Sequence, residues 1–388
     1  MLFSMTLLFF IGLDVFLIMA TKQKFSIQEI TSYLEEIAPI QWQESYDNSG
    51  LLIGDSSKKV SNVLFCLDCT EKVLVEAKRL NCGLIVAHHP IIFTGLKKIN
   101  TTHYVDRIVT QAIKNDIAIY ASHTNMDNSI AGVNFQIAQK LGLKNIQPLV
   151  SKEKQLYKLY TYVPQKNCTQ LKKALFEAGA GEIGNYENCA FETIGQGSFK
   201  PVGAAKPHTG IKNQLSQVEE TKVEVLLWAH QSKKVIKALL KAHPYEEVAY
   251  ELIKLDNQQN VIGSGLVGEF DEPMKHKSLL TFLSKTMKAK GIRYTECSKK
   301  VYKRIAICGG SGAFLTKRAI QAGADAYITG DVKYHDFFEA DNRLSLIDIG
   351  HYESEQYTPR LFYDILSKKM PTFALHLSKI NTNPIKYF

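Results

Sequence analysis

Four apolar runs in this chain each end in residues that can bind a metal ion or carry a proton. GLIVA leads into His88-His89-Pro90, and IAIYA leads into Ser122-His123-Thr124-Asn125-Met126-Asp127. ADAYIT leads into Gly330-Asp331-Val332-Lys333-Tyr334-His335, and LSLIDI leads into Gly350-His351-Tyr352-Glu353-Ser354-Glu355. Mixed imidazole and carboxylate donors suit Zn, Mn, Fe or Co, and the residue types do not choose among them. His351 and Glu355 are four apart, so a helix opening near Gly350 puts both on one face, where they can share an ion. His88 and His89 are neighbours in an extended segment, where side chains point apart, which suits two ions better than one. Asp127 and Glu355 each carry two oxygens, as needed to bridge cations about 3.5–4 Å apart. His88, His89, Asp127, His351 and Glu355 thus form an inventory for a dinuclear site. Taken singly, each such histidine is more often a surface or satisfied-core residue than a ligand, and only the recurrence after four strands favours metal.

Such residues meet only if the scaffold gathers strand ends. The capping box Ser26-Ile27-Gln28-Glu29 opens a helix that stops near Pro39. From there to about residue 150, short apolar runs alternate with helical patterns, which predicts βαβ units and a largely parallel sheet. Ligands of open parallel sheets bind beyond the carboxyl ends of the strands, where all four clusters fall. Between 151 and 260 the order becomes βαββαβ, which predicts a ferredoxin-like α+β insert. The α/β pattern returns over 261–388. The expected fold class is therefore α/β, with two halves, 21–150 and 261–388, whose mostly parallel sheets form one metal-site domain around the insert.

Composition limits the function classes. With 388 residues, 45% hydrophobic and 22% charged, the chain is neither disordered nor a multi-span membrane protein. Its +9 net charge favours anionic ligands. The lysines are scattered, with no basic stripe interleaved with aromatics, so nucleic acid is not an expected partner. Seven cysteines at irregular spacing fit free thiols in a reducing cytoplasm. Residues 1–20 are hydrophobic, but they lack a basic n-region and contain Asp14, so they read as a spurious start before Met19, with a membrane anchor as the lesser alternative and no stable membrane association expected.

Several other features have secondary readings. His123 can orient a ligand or act as an acid or base, and Asp331, Lys333 and His335 can face the same cavity. Gly309-Gly310-Ser311-Gly312 matches neither a P-loop nor a dinucleotide fingerprint and reads as a structural turn. Cys66-Leu67-Asp68-Cys69 lacks the second pair that a zinc or redox site needs. His243-Pro244-Tyr245-Glu246-Glu247 reads as a turn of the insert.

The segments IVAHHPIIFTGLKKI, IYASHTNMDNSIAGVN, LIDIGHYESE and YDNSGLLIG resemble the GTP cyclohydrolase 1 type 2 homologue family, the NGG-interacting-factor-three-like dinuclear-metal proteins, over about residues 25–385. The resemblance places the family's metal ligands on His88, His89, Asp127, His351 and Glu355, and implies two divalent ions per subunit. It makes the insert similar to the PII-like or CutA-like module of the longer bacterial members. It also implies a homohexamer and a hydrolase acting on a small anionic or nucleotide-like substrate, with Lys333 holding phosphate. The other reading is a non-catalytic metal-binding or regulatory ring. The hydrophobic leader and Cys69 depart from the family pattern.

Overall fold

The computed structural model describes residues 23–257 and 262–388; the leader at 1–20 lies outside the described residues. The capping box forms as expected. The Ser26 hydroxyl accepts from the Glu29 amide at 3.2 Å, and the Ser26 amide donates to the Glu29 carboxylate at 2.7 Å, opening the helix Ile27–Ile37.

A five-stranded sheet is ordered Ala374–Leu377, Asn62–Cys66, Leu84–Ala87, Ala118–Ala121, Gly50–Ile53. The first four strands run parallel, and Gly50–Ile53 closes the edge antiparallel. Every residue of the three central strands is buried. Helices cover both faces, which is why these strands read as continuous apolar runs rather than alternating ones. Val63, Phe65, Val86 and Tyr120 face the helices Ile27–Ile37, Val133–Leu141 and Thr358–Lys369. Their neighbours Leu64, Ile85 and Ile119 face Glu71–Arg79 and Tyr104–Lys114. Each fully buried Leu, Ile, Val or Phe contributes about 1.5–3 kcal/mol by leaving water.

The second sheet is ordered Arg293–Tyr294, Ser345–Asp348, Ala326–Gly330, Val301–Ser311, Gly263–Lys275, Lys144–Ser151. Only its three central strands, Ser345–Asp348, Ala326–Gly330 and Val301–Ser311, pair in parallel. The outer pairings are antiparallel. The fold is therefore mixed α/β with mixed sheets, and parallel pairing is concentrated in the strands whose carboxyl ends carry the polar clusters. Ile305, Ile307, Ile328 and Ile347 share one apolar core with Val63, Phe65 and Val86. That shared core brings the ends of the two sheets face to face.

Between the halves, four antiparallel strands are ordered Tyr250–Leu255, Leu156–Pro164, Ser216–Trp228, Ala190–Phe199. The helices Cys168–Glu177 and Ser232–Ala242 pack on one face through Leu171, Leu175, Val235 and Leu239. This unit meets the body where the Trp42 ring lies 5.4 Å from His230 and 6.4 Å from Trp228. Among the described residues, no helix is long and apolar enough to cross a membrane.

Candidate metal centre

His88 and His89 follow the Leu84–Ala87 strand at its carboxyl end. Their amides both donate to the carbonyl of Leu67, at 3.1 and 3.0 Å, which fixes this turn beside Asp68. His88 is completely buried, and its Nδ1 lies 2.8 Å from the carbonyl of Ser122. His89 Nδ1 lies 2.7 Å from Asp68 Oδ1. From the other sheet, Gly350 adopts φ +94° and turns the chain into the short helix His351–Glu355, where a Cβ on Gly350 would sit 2.2 Å from Glu353 Oε2. His351 Nδ1 lies 2.6 Å from Asp331 Oδ2. Asp127 ends the short helix Thr124–Asp127 that follows the Ala118–Ala121 strand.

Each Nδ1 faces an oxygen that can only accept, so Nδ1 carries a hydrogen and Nε2 is the atom left to meet a proton or a metal ion. These Nε2 atoms converge. Glu355 Oε2 lies 3.0 Å from the Nε2 atoms of both His89 and His351, which are themselves 3.2 Å apart. His88 Nε2 lies 3.6 Å from Asp127 Oδ1 and 3.7 Å from Glu355 Oε1, and both His88 Nε2 and Asp127 Oδ1 are buried without a hydrogen-bond partner. Buried polar atoms are rarely left so. Donor atoms this close repel unless protons or a cation lie among them, and this set of imidazoles and carboxylates is one that fits a metal ion. Three three-donor groups could each hold an ion: His88 with His89 and His123, His89 with His351 and Glu355, and His88 with Asp127 and Glu355, so that Glu355 belongs to two of them.

Electrostatics agree with the geometry. Burial works against charge on His89, but hydrogen bonds to Asp68 and Glu355 outweigh it and raise its pKa to about 9. His351 is likewise disfavoured by burial, yet Asp331 and Glu355 raise it to about 11. Burial alone would push Glu355 up, but the three imidazoles hold it well below the usual carboxylate range. Asp127 is pushed well above that range by burial and by the neighbouring Glu355 charge. One carboxylate is thus strongly ionised beside another that resists ionisation, a balance that added positive charge would shift.

His123 lies beside this cluster, its ring 5.3 Å from His88 and 5.5 Å from His89. Its Nδ1 donates to Asp47 Oδ1 at 2.8 Å, and Asp47 also accepts from the Thr124 amide at 3.0 Å. Burial opposes the Asp47 charge, but His123 and Thr124 outweigh it and hold the carboxyl far below its usual range. A cavity of about 260 Å³ opens onto Asp127, His351, Glu355 and His123. Lys333 and His335 do not line it. Both are exposed, around the turn Tyr334–Ala340, where the Lys333 amide donates to Asp336 and the His335 ring lies 6.3 Å from Phe338.

Sequence reasoning missed Asp47 and Asp68. Asp68 follows an apolar strand as the noticed clusters do, but between two cysteines it drew no weight. Asp331 sits at φ +52° and holds His351. The glycine run is the irregular end of the strand Val301–Ser311 and not the turn expected from sequence, and its amides are taken up inside the protein: those of Gly309, Gly310 and Gly312 donate to Asn134, Ser354 and Thr329. Gly310 has φ +64°, and a Cβ there would lie 2.5 Å from Glu355 Oε1. Cys66 and Cys69 are buried free thiols, and burial raises Cys69 to about 12, which disfavours a thiolate.

The fold and the cluster define a mixed α/β protein whose grouped imidazoles and carboxylates could hold metal at the strand ends. Residues 25–384 match Duf34/NIF3 (NGG1p interacting factor 3), and the chain belongs to that family. It is 36% identical over 365 residues to a Staphylococcus epidermidis (strain ATCC 12228) protein named GTP cyclohydrolase 1 type 2 homolog, covering 93% of this chain and 99% of the relative. A Staphylococcus aureus (strain MSSA476) protein of the same name is 36% identical over 366 residues, with the same coverage. Among solved structures, a Bacillus cereus protein related to NIF3 superposes with a TM-score of 0.81 at 36% identity, covering 94% of this chain and 99% of that one.

Proposed function

We propose that this protein is a dinuclear metal-dependent hydrolase, with His88, His89, Asp127, His351 and Glu355 as ligands to two divalent ions of the Zn, Mn, Fe or Co class. The observation that carries this is the convergence of imidazole Nε2 atoms on Glu355, with His88 Nε2 and Asp127 Oδ1 buried and unpartnered. Bound there, such ions supply Lewis acidity and a nucleophilic water near neutral pH. The chain's own residues do the rest. Asp68, Asp331 and the Ser122 carbonyl fix the imidazole tautomers. His123, held through Nδ1 by Asp47, keeps Nε2 available to move a proton to or from a bound substrate.

The relatives' name, GTP cyclohydrolase 1 type 2 homolog, supports a nucleotide-like substrate. The outward placement of Lys333 removes it from the phosphate-holding role that the resemblance implied. The sheet order and two-helix face of residues 156–255 support a ferredoxin-like, PII-like insert. A homohexamer and a cytoplasmic setting belong to the same reading, and the mass of the assembly in solution tests the first. The deciding experiment is an anaerobic screen of metal-loaded protein against nucleotides and phosphoesters, with His89→Ala as control. Turnover lost in the variant supports the hydrolase. No turnover with full metal content leaves the non-catalytic metal-binding ring.

A further inference from the structure

The cavity over the cluster has walls that the metal reading does not explain. Tyr46, Phe93 and Phe314 line it while remaining 59%, 46% and 66% exposed. They come from three distant segments. Tyr46 precedes the Gly50–Ile53 strand, Phe93 follows the His88-His89 turn, and Phe314 follows the glycine run of the other sheet. The Tyr46 and Phe93 rings are 6.2 Å apart and inclined at 41°, and Phe93 lies 6.3 Å from the His123 ring. Isolated exposed aromatics need no explanation, but three sharing one small cavity form a surface suited to stacking.

Charge on the walls points the same way. The lining contains the carboxylates Glu44, Asp127 and Glu355 and the imidazoles of His123 and His351, but neither lysine nor arginine. The walls away from the cluster therefore offer a ligand aromatic faces and uncharged hydrogen-bonding groups such as Asn128, Asn134 and Ser264, with no lysine or arginine to grip a phosphate. At about 260 Å³ the cavity is below the ~300–1,000 Å³ of drug-sized pockets, so it suits one ring system with the rest of the ligand outside.

We infer that Tyr46, Phe93 and Phe314 form a stacking site for one planar heteroaromatic ring of purine type, placing that ring beside the metal-competent cluster. This deepens the hydrolase reading and rests on it for the cluster's role as reacting centre. The test is calorimetric titration of guanosine, and separately ribose 5-phosphate, into the metal-loaded full chain. Wild type is compared with Phe93→Ala, Phe314→Ala and Phe93→Trp, and metal content is measured on each. Guanosine should bind more tightly than ribose 5-phosphate. Each alanine variant should weaken guanosine binding about five- to hundred-fold, the range for losing a stacking aromatic, while Phe93→Trp retains it and metal content is unchanged. Guanosine binding no tighter than ribose 5-phosphate, or alanine variants binding as wild type, would overturn the site. Turnover measured on the same samples separates the two readings. Ring binding that depends on the aromatics without turnover removes the hydrolase and keeps the stacking site, whereas turnover with no such dependence does the reverse.

Discussion

His88 and His351 belong to one cluster, yet their surroundings are opposite. His88 is fully buried with its Nδ1 on a backbone carbonyl, and desolvation lowers its pKa, so it is held as a neutral imidazole. His351 is more accessible, with its Nδ1 on the Asp331 carboxylate, and its pKa rises to about 11 because Asp331 and Glu355 overcome burial. His88 is thus a candidate ligand held ready as a neutral ring by the sheet. His351, like His89 beside Asp68, is one whose carboxylate partner favours a proton that a metal ion would have to displace. The buried histidine sets shape, and the two carboxylate-paired histidines set pH dependence.

The largest test removes what joins the halves. Glu355 is buried against all three imidazoles, so Glu355→Gln should lower metal affinity at least about 100-fold and leave under half an ion per chain by elemental analysis. Wild-type stoichiometry in that variant would show that the halves bind independently. Next come the partners of the ligands. Asp331→Asn and Asp68→Asn should each weaken metal binding about 10- to 100-fold by competition against a chelator, the usual cost of losing such a carboxylate. Asp331→Asn alone should also lower the proton affinity of His351.

Proton release sharpens the contrast further. With pKa values raised to about 9 and 11, His89 and His351 are protonated at neutral pH in the metal-free protein. Metal must displace those protons, so affinity should rise as pH increases from 6 to 9. An indicator dye in weak buffer should register net proton release at pH 7, less in Asp331→Asn. A pH-independent affinity with no release would mean that His89 and His351 are not protonated as described. The smallest expected effect is at the chain's end. The Thr382 hydroxyl donates to Asp68 Oδ2, whose other oxygen holds His89. Thr382→Val should weaken metal binding only a few-fold in the same competition assay, because Asp68 keeps its bond to His89.

The sequence's legibility follows the same division. His88, His89, Asp127, His351 and Glu355 could be read because each follows a buried apolar strand, and parallel strand ends collect ligands whatever the details of the fold. The i, i+4 spacing of His351 and Glu355 was similarly informative, since it depends only on one turn of helix. Asp47 and Asp68 were not legible as partners, because no period or spacing relates them to histidines 76 and 21 residues away. Lys333 and His335 were misplaced for a local reason. The left-handed residue Asp331 and the tight turn Tyr334–Ala340 carry them onto the exposed surface, and a strand-end rule cannot foresee such a turn. The antiparallel outer strands of the second sheet were hidden because their apolar patterns do not record direction.

The most direct measurement of the central claim is anomalous diffraction, at the metal's absorption edge, from crystals of the metal-loaded full chain. Two peaks sharing Glu355 are expected, one bonded to His89 and His351 and the other to His88 and Asp127, with ligand distances of about 2.0–2.2 Å. A map with no peak among these five side chains, or with metal bound only elsewhere, would contradict the account.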